Sequence, residues 1–279
     1  MAGVSTARRP ARLNSRYLVL LAGALYFGVP MVASFLFTVL VPGDGPDSGW
    51  NPSAYGRILS ADGIGASLGL SLTLAAATIV IVLALTLPAM VAIRLWAPRL
   101  RPVLEVLCML PLVVPPITFV AGIKRTLTWQ EPLSATPLYG TFIAVQDPAF
   151  PVVLVLAYTV LALPFVYRAL DAGLRTMDVR TLVEASRNLG ASWPQVFLTV
   201  LMPNLRSALA SACFLTLALV LGEYTVAALL NYETFPVWIV WRSGVDPQLS
   251  VAISIFSLAL TWLLLLALST AGARRKDMA

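Results

Sequence analysis

An all-α membrane protein with six transmembrane helices is the fold this sequence predicts, and three observations carry that reading. Of its 279 residues 59% are hydrophobic and only 11% are charged, against about 25% charged in an ordinary soluble domain. Apolar runs long enough to cross a hydrocarbon core of about 30 Å, which takes about 20 helical residues, recur along the chain. The Lys and Arg residues cluster at the ends of those runs and not on one face of a polar domain.

In lipid each backbone N–H and C=O must be satisfied within its own segment, so the runs are expected to be helices. The first spans Tyr17 to about Val41, and the second about Ile64 to Ile93. The third, about Val103 to Ile123, is interrupted by Glu105 and carries Pro111, Pro115 and Pro116. Each proline removes a helix hydrogen bond and crowds the carbonyl one turn earlier, which predicts a kink or a break. That break is either a flexible, translocation-lining segment or a distortion tolerated by neighbouring helices. The fourth span runs from about Pro151 to Tyr167, the fifth from about Ser207 to Leu230 with Glu223 inside it, and the sixth from about Leu249 to Ala271.

Cytoplasmic loops carry an excess of Lys and Arg, and this sets the expected orientation. With the N-terminus inside, the inner segments hold Arg8, Arg9, Arg12 and Arg16, then Arg94, Arg99 and Arg101, then Arg168, Arg175, Arg180, Arg187 and Arg206, and finally Arg274, Arg275 and Lys276. Arg57, Lys124, Arg125 and Arg242 fall outside, among Asp44, Asp47, Asp62, Glu131, Asp147, Glu233 and Asp246. The expected organisation is a cytoplasmic tail at 1–16, one membrane domain at 17–273 and a cytoplasmic tail at 274–279. Turn formers such as Pro42-Gly43-Asp44-Gly45 fill the outer loops at about 42–63 and 124–150, where short interfacial helices or irregular caps are expected.

A formal charge of +6 invites a nucleic-acid reading, but topology accounts for the basic residues more simply. The pair Arg8-Arg9 resembles the start of an export signal, yet no small-residue cleavage site follows Val41, so the first span is expected to be retained. Cys108 and Cys213 lie within spans, as small apolar packing groups. The chain has no histidine, which removes His-based acid–base chemistry and the commonest metal ligand. Nor does it contain the Gly-Lys dipeptide of a phosphate-binding P-loop, so any ATP-driven work belongs to a partner.

Between the fourth and fifth spans, at about 171–206, the chain turns polar and helix-compatible. Asp178 can cap a helix, Thr181 to Leu189 are mostly good helix formers, and Gly190 can end the helix in a left-handed conformation. Ser192-Trp193-Pro194-Gln195 then has the pattern of a capping box with proline in the first turn, and Pro203 bends the chain toward the fifth span. Two short helices joined at a glycine form either a protrusion that docks on another protein or an ordinary interfacial connector.

The segment Glu184-Ala185-Ser186 through Gly190 to Val200-Leu201-Met202-Pro203 resembles the E-A-A-x3-G-x9-I-x-L-P signature of permease subunits of binding-protein-dependent ABC importers. Glu184, Ala185, Gly190 and Pro203 agree, whereas Ser186, Val200 and Met202 depart conservatively from Ala, Ile and Leu. The resemblance implies a type I importer permease whose first short helix is a coupling helix seated on a separate ATPase subunit. It assigns coupling to Thr181, Leu182, Glu184, Ala185, Ser186, Leu189 and Gly190. It also implies a second permease subunit, two ATPase subunits that bind ATP and Mg, an extracytoplasmic substrate-binding protein, and a bacterial cytoplasmic membrane location. Neither catalysis nor a cofactor is expected in this chain.

Glu223, an ionisable residue within a predicted span, is a candidate for the substrate pathway together with Tyr224; the alternative is a structural carboxylate bonded to a neighbouring helix. Glu105 is expected to reach solvent or to pair with Arg101, and Trp238 and Trp241 fit an interfacial aromatic belt. Around Glu223 and through Asn231 to Trp238 the chain is most similar to the spermidine and putrescine branch, whose relatives handle thiamine, ferric iron or phosphonates. An acid beside Tyr224 suits a polyamine through ion pairing and cation–π attraction. The contrasting class is an oligomeric secondary transporter driven by an ion gradient through Glu223.

Overall fold

A computed structural model describes residues 15–41 and 49–274. The two tails and the turn-rich stretch at 42–48 lie largely or wholly outside the described residues, as do most of the arginines assigned to the tails. Helix α1 (Ser15–Val39) leads into a two-residue strand β1 (Leu40–Val41), which pairs antiparallel with β2 (Gly49–Trp50). This small hairpin and the short helix α2 (Ser53–Gly56) occupy the connection to the next long helix. Helix α3 (Ile64–Trp96) follows; its 33 residues rise about 50 Å, well over the thickness of a hydrocarbon core.

The third predicted span is broken. Helix α4 (Arg101–Met109) and a single tight turn (Leu110–Leu112) stop before Pro115, and α5 (Pro116–Leu127) restarts at a bend of 97°. Pro115 is extended, with ψ 139°, as expected for a residue that precedes another proline. The chain continues through α6 (Leu138–Val145), and α7 (Val152–Leu174) runs a full turn and more beyond the expected end at Tyr167. Next come α8 (Val179–Asn188), the single turn α9 (Trp193–Gln195), a π-helical turn at Val196–Leu201 and the short α10 (Met202–Asn204). A bend of 84° then leads into α11 (Arg206–Gly222).

The fifth span was expected to be one helix to Leu230, but α11 ends at Gly222. Glu223 is extended, at φ −81° and ψ 112°, and α12 (Thr225–Leu229) is a separate piece. The physical reason is local: the Glu223 carboxylate accepts from the amides of Val226 and Ala227, caps the new helix and competes with continuation of the old one. Helices α13 (Phe235–Ser243) and α14 (Pro247–Arg274) complete the chain. Among the described residues three helices are long and apolar enough to cross a membrane, or five if each bent pair counts as one span; α14 adds a shorter apolar stretch, Pro247–Leu263.

At the centre α3, α7 and α11 pack on one another. One apolar cluster, with Val82, Met90, Leu170 and Leu205, joins these helices to α4 and α8; a second, with Leu74, Tyr158 and Val226, joins them to α5 and α12. Close approach of α7 and α11 depends on Gly173, since a Cβ there would lie 2.5 Å from that of Ala208. By contrast α1 keeps most of its apolar side chains exposed and touches mainly α14, as suits a helix facing lipid.

Candidate functional site: the helical protrusion between the fourth and fifth spans

Asp178 caps α8 as its side chain accepts from the Thr181 amide at 3.2 Å and the Thr181 hydroxyl at 2.7 Å. These two bonds, the hydroxyl above all, hold the Asp178 carboxyl below the usual carboxylate range. Along α8 the residues separate by face. Val179 and Val183, one turn apart, are buried against the rest of the protein, while Thr181, Glu184, Ala185 and Asn188 are exposed. An i,i+4 ion pair, Arg180 Nε to Glu184 Oε1 at 2.7 Å, lies along the exposed face. Leu182 and Ser186 are half-buried, with the Ser186 hydroxyl turned back onto the Leu182 carbonyl at 2.7 Å.

The helix ends at Gly190, φ +85°, a conformation that costs an L-residue roughly 1–2 kcal/mol. Beyond it the chain reverses. Gln195 accepts from the Ser192 amide at 2.7 Å, completing a capping box, and the Arg187 guanidinium spans the turn to the Ala191 carbonyl at 2.7 Å and lies over the Trp193 ring at 5.4 Å. Trp193 meets Trp96 at the end of α3 edge-on, with centroids 5.2 Å apart. The tip is therefore built stiffly on the membrane domain, yet Leu189 beside Gly190 is 89% exposed.

The chain from residue 86 to residue 276, well over half of its length, matches the family described as binding-protein-dependent transport system inner membrane component. The chain belongs to that family. It is a permease, a transport component and not an enzyme, and membership implies partner subunits such as an ATPase and a substrate-binding protein. A comparison with curated proteins found no match.

In the permease, Glu223 and Tyr224 lie at the break between α11 and α12, with the length of α11 between them and the protrusion. Glu223 is half-buried and Tyr224 is 39% exposed. The Tyr158 hydroxyl of α7 neighbours the Glu223 carboxylate. A groove of about 600 Å³ between α5, α6 and α7 is lined by Phe119, Ile123, Leu127, Phe142 and Leu156. It contains neither candidate residue and is too apolar to recognise a charged solute.

One expectation is corrected. Trp238 is 4% exposed, with its indole N–H donating to the Asp62 carbonyl at 3.2 Å, so it is a packing residue against the loop before α3; Trp241, 54% exposed, presents its ring at the surface. Of the two alternatives for Glu105 the structure shows the exposed one, while Arg101 reaches Asp171 across to α7. Asp171 itself had no motif to mark it. The one available signal was Arg175 four residues on, at the spacing of a helical ion pair.

Proposed function

We propose that this permease serves an ATP-driven importer and that α8 is its coupling helix, receiving movement from a separate ATPase subunit. The carrying observation is the two-faced construction of α8: Val179 and Val183 fix it to the membrane domain, while Thr181, Glu184, Ala185, Leu189 and Gly190 are left outward. A large apolar side chain at the tip of a capped, rigid protrusion contributes nothing to the fold while exposed, and is stabilised once a partner covers it.

The assembly that follows has this chain beside a second permease, with two ATPase subunits binding ATP and Mg and a binding protein delivering solute from the outer side. In this reading the chain has six spans with both termini in the cytoplasm, which puts α8 on the ATPase side of a bacterial cytoplasmic membrane. Closure of the ATPases displaces α8, and the broken spans, α4 with α5 and α11 with α12, convert that displacement into alternating access. The solute is a small organic cation, a polyamine being the type; this part rests on the half-buried Glu223 carboxylate beside the exposed ring of Tyr224 at a helix break.

Gly190→Pro tests the coupling role, because proline fixes φ near −65° where the turn needs +85°. The variant should insert normally in the membrane, lose co-purification with the ATPase and lose stimulation of ATP hydrolysis by the binding protein. Wild-type association and stimulation in that variant would contradict the assignment.

A further inference from the structure

At the end of α7 nearest the protrusion, one carboxylate gathers three guanidinium groups from three elements. Asp171 Oδ1 accepts from Arg94 of α3 at 2.6 Å and from Arg101 of α4 at 3.0 Å, and Oδ2 accepts from Arg175, the residue that caps the end of α7, at 2.7 Å. Arg94 also donates to the backbone carbonyl of Leu174 at 2.9 Å, so it holds the last turn of α7 as well as the side chain. Asp171 is 7% exposed, and Arg94 is the most covered of the three guanidiniums. Charge-assisted, forked hydrogen bonds of this kind are directional, and removing one partner leaves buried charge unmatched.

The position of this node matters as much as its strength. Only Thr176 and Met177 separate Arg175 from the Asp178 cap of α8, so α7 and α8 are joined by a link too short to absorb movement. Two residues after Asp171, Gly173 packs against Ala208 of α11. Through α4 the node reaches the 97° break that leads to α5.

We propose that Asp171 is a positioning residue for coupling: it locks the ends of α3, α4 and α7 into one lever, so that displacement of α8 is delivered to the broken α4–α5 span. This rests on the reading of α8 as the coupling helix. Without the carboxylate, Arg94 and Arg101 repel each other, α4 separates from α7, and α8 moves without taking α5 with it.

The test uses the assembled transporter, this chain with its companion permease and ATPase subunits, carrying spin-label pairs at Leu198 and Val240 and at Ile117 and Val240, in place of exposed side chains. Distances are measured without nucleotide and after trapping with MgADP and vanadate. Wild type should show a nucleotide-dependent shift in both pairs. Asp171→Ala should keep the shift of the Leu198 pair and lose that of the Ile117 pair, with Asp171→Glu restoring at least part of it. Where Asp171→Ala fails to assemble, Arg94→Gln, which removes one arm only, should reduce the Ile117 shift in the same selective way. A full Ile117 shift in the assembled variants would overturn the proposal and leave the coupling role of α8 standing. Absence of a Leu198 shift in wild type would instead overturn the coupling role itself, and this inference with it.

Discussion

Gly190 and Asp178 bracket α8, Gly190 through one torsion and Asp178 through its two carboxylate oxygens. Replacing Gly190 by Val places a β-branched residue at φ +85°, a strain of roughly 1–2 kcal/mol. The last-turn amides of α8 should then exchange with solvent faster than in wild type; equal protection would show that the turn tolerates the change. For Asp178 the sign follows from its lowered folded-state pKa: the cap stabilises α8 above the ordinary aspartate pKa, and its contribution is lost as pH falls through the folded value. Asp178→Asn should abolish that acid-dependent loss of protection at Thr181, after correction for intrinsic exchange; an unchanged profile would remove Asp178 as its source. At Glu223 the observed capping of α12 and the proposed attraction of a cation are separable, because glutamine keeps an oxygen for the Val226 amide but not the charge. Glu223→Gln should therefore weaken uptake of a cation such as spermidine while preserving stability, and Glu223→Ala should reduce both. Uptake unaffected by Gln would leave only the helix-capping duty.

Among the elements, α7 and α11 approach closely where they meet at Gly173. Gly173→Val forces a branched side chain into a space already filled by Ala208 and Leu205, and overpacking of this kind costs about 1–3 kcal/mol. It should lower the thermal midpoint of the purified permease, whereas the same change at Gly222, which has nothing within 4 Å of an added Cβ, should lower it less; equal effects would contradict the packing argument. How far these elements could be read from the sequence varied with the kind of signal. Proline chemistry announced the break before α5, and cap residues announced both ends of α8, because those signals act within a few residues. The end of α11 at Gly222 was hidden: apolar residues continue on both sides, and only the backbone contacts of Glu223 reveal that its carboxylate starts a new helix. Burial of Trp238 and the meeting of Arg94, Arg101 and Asp171 depend on contacts across 70 residues or more, which no local pattern carries.

For the whole molecule, family membership makes this chain one subunit of a transport system, and α8 is where it is proposed to meet the motor. The outward and inward faces of that helix give opposite expectations. With cysteine introduced singly at Ala185, which is exposed, or at Val183, which is 4% exposed, and with Cys108 and Cys213 replaced, cross-linking to the ATPase subunit in intact membranes tests the central assignment most directly. The Ala185→Cys chain should cross-link to the ATPase in a nucleotide-dependent manner and the Val183→Cys chain should not. Absence of any cross-link from Ala185→Cys, in a complex shown to contain the ATPase, would contradict the account.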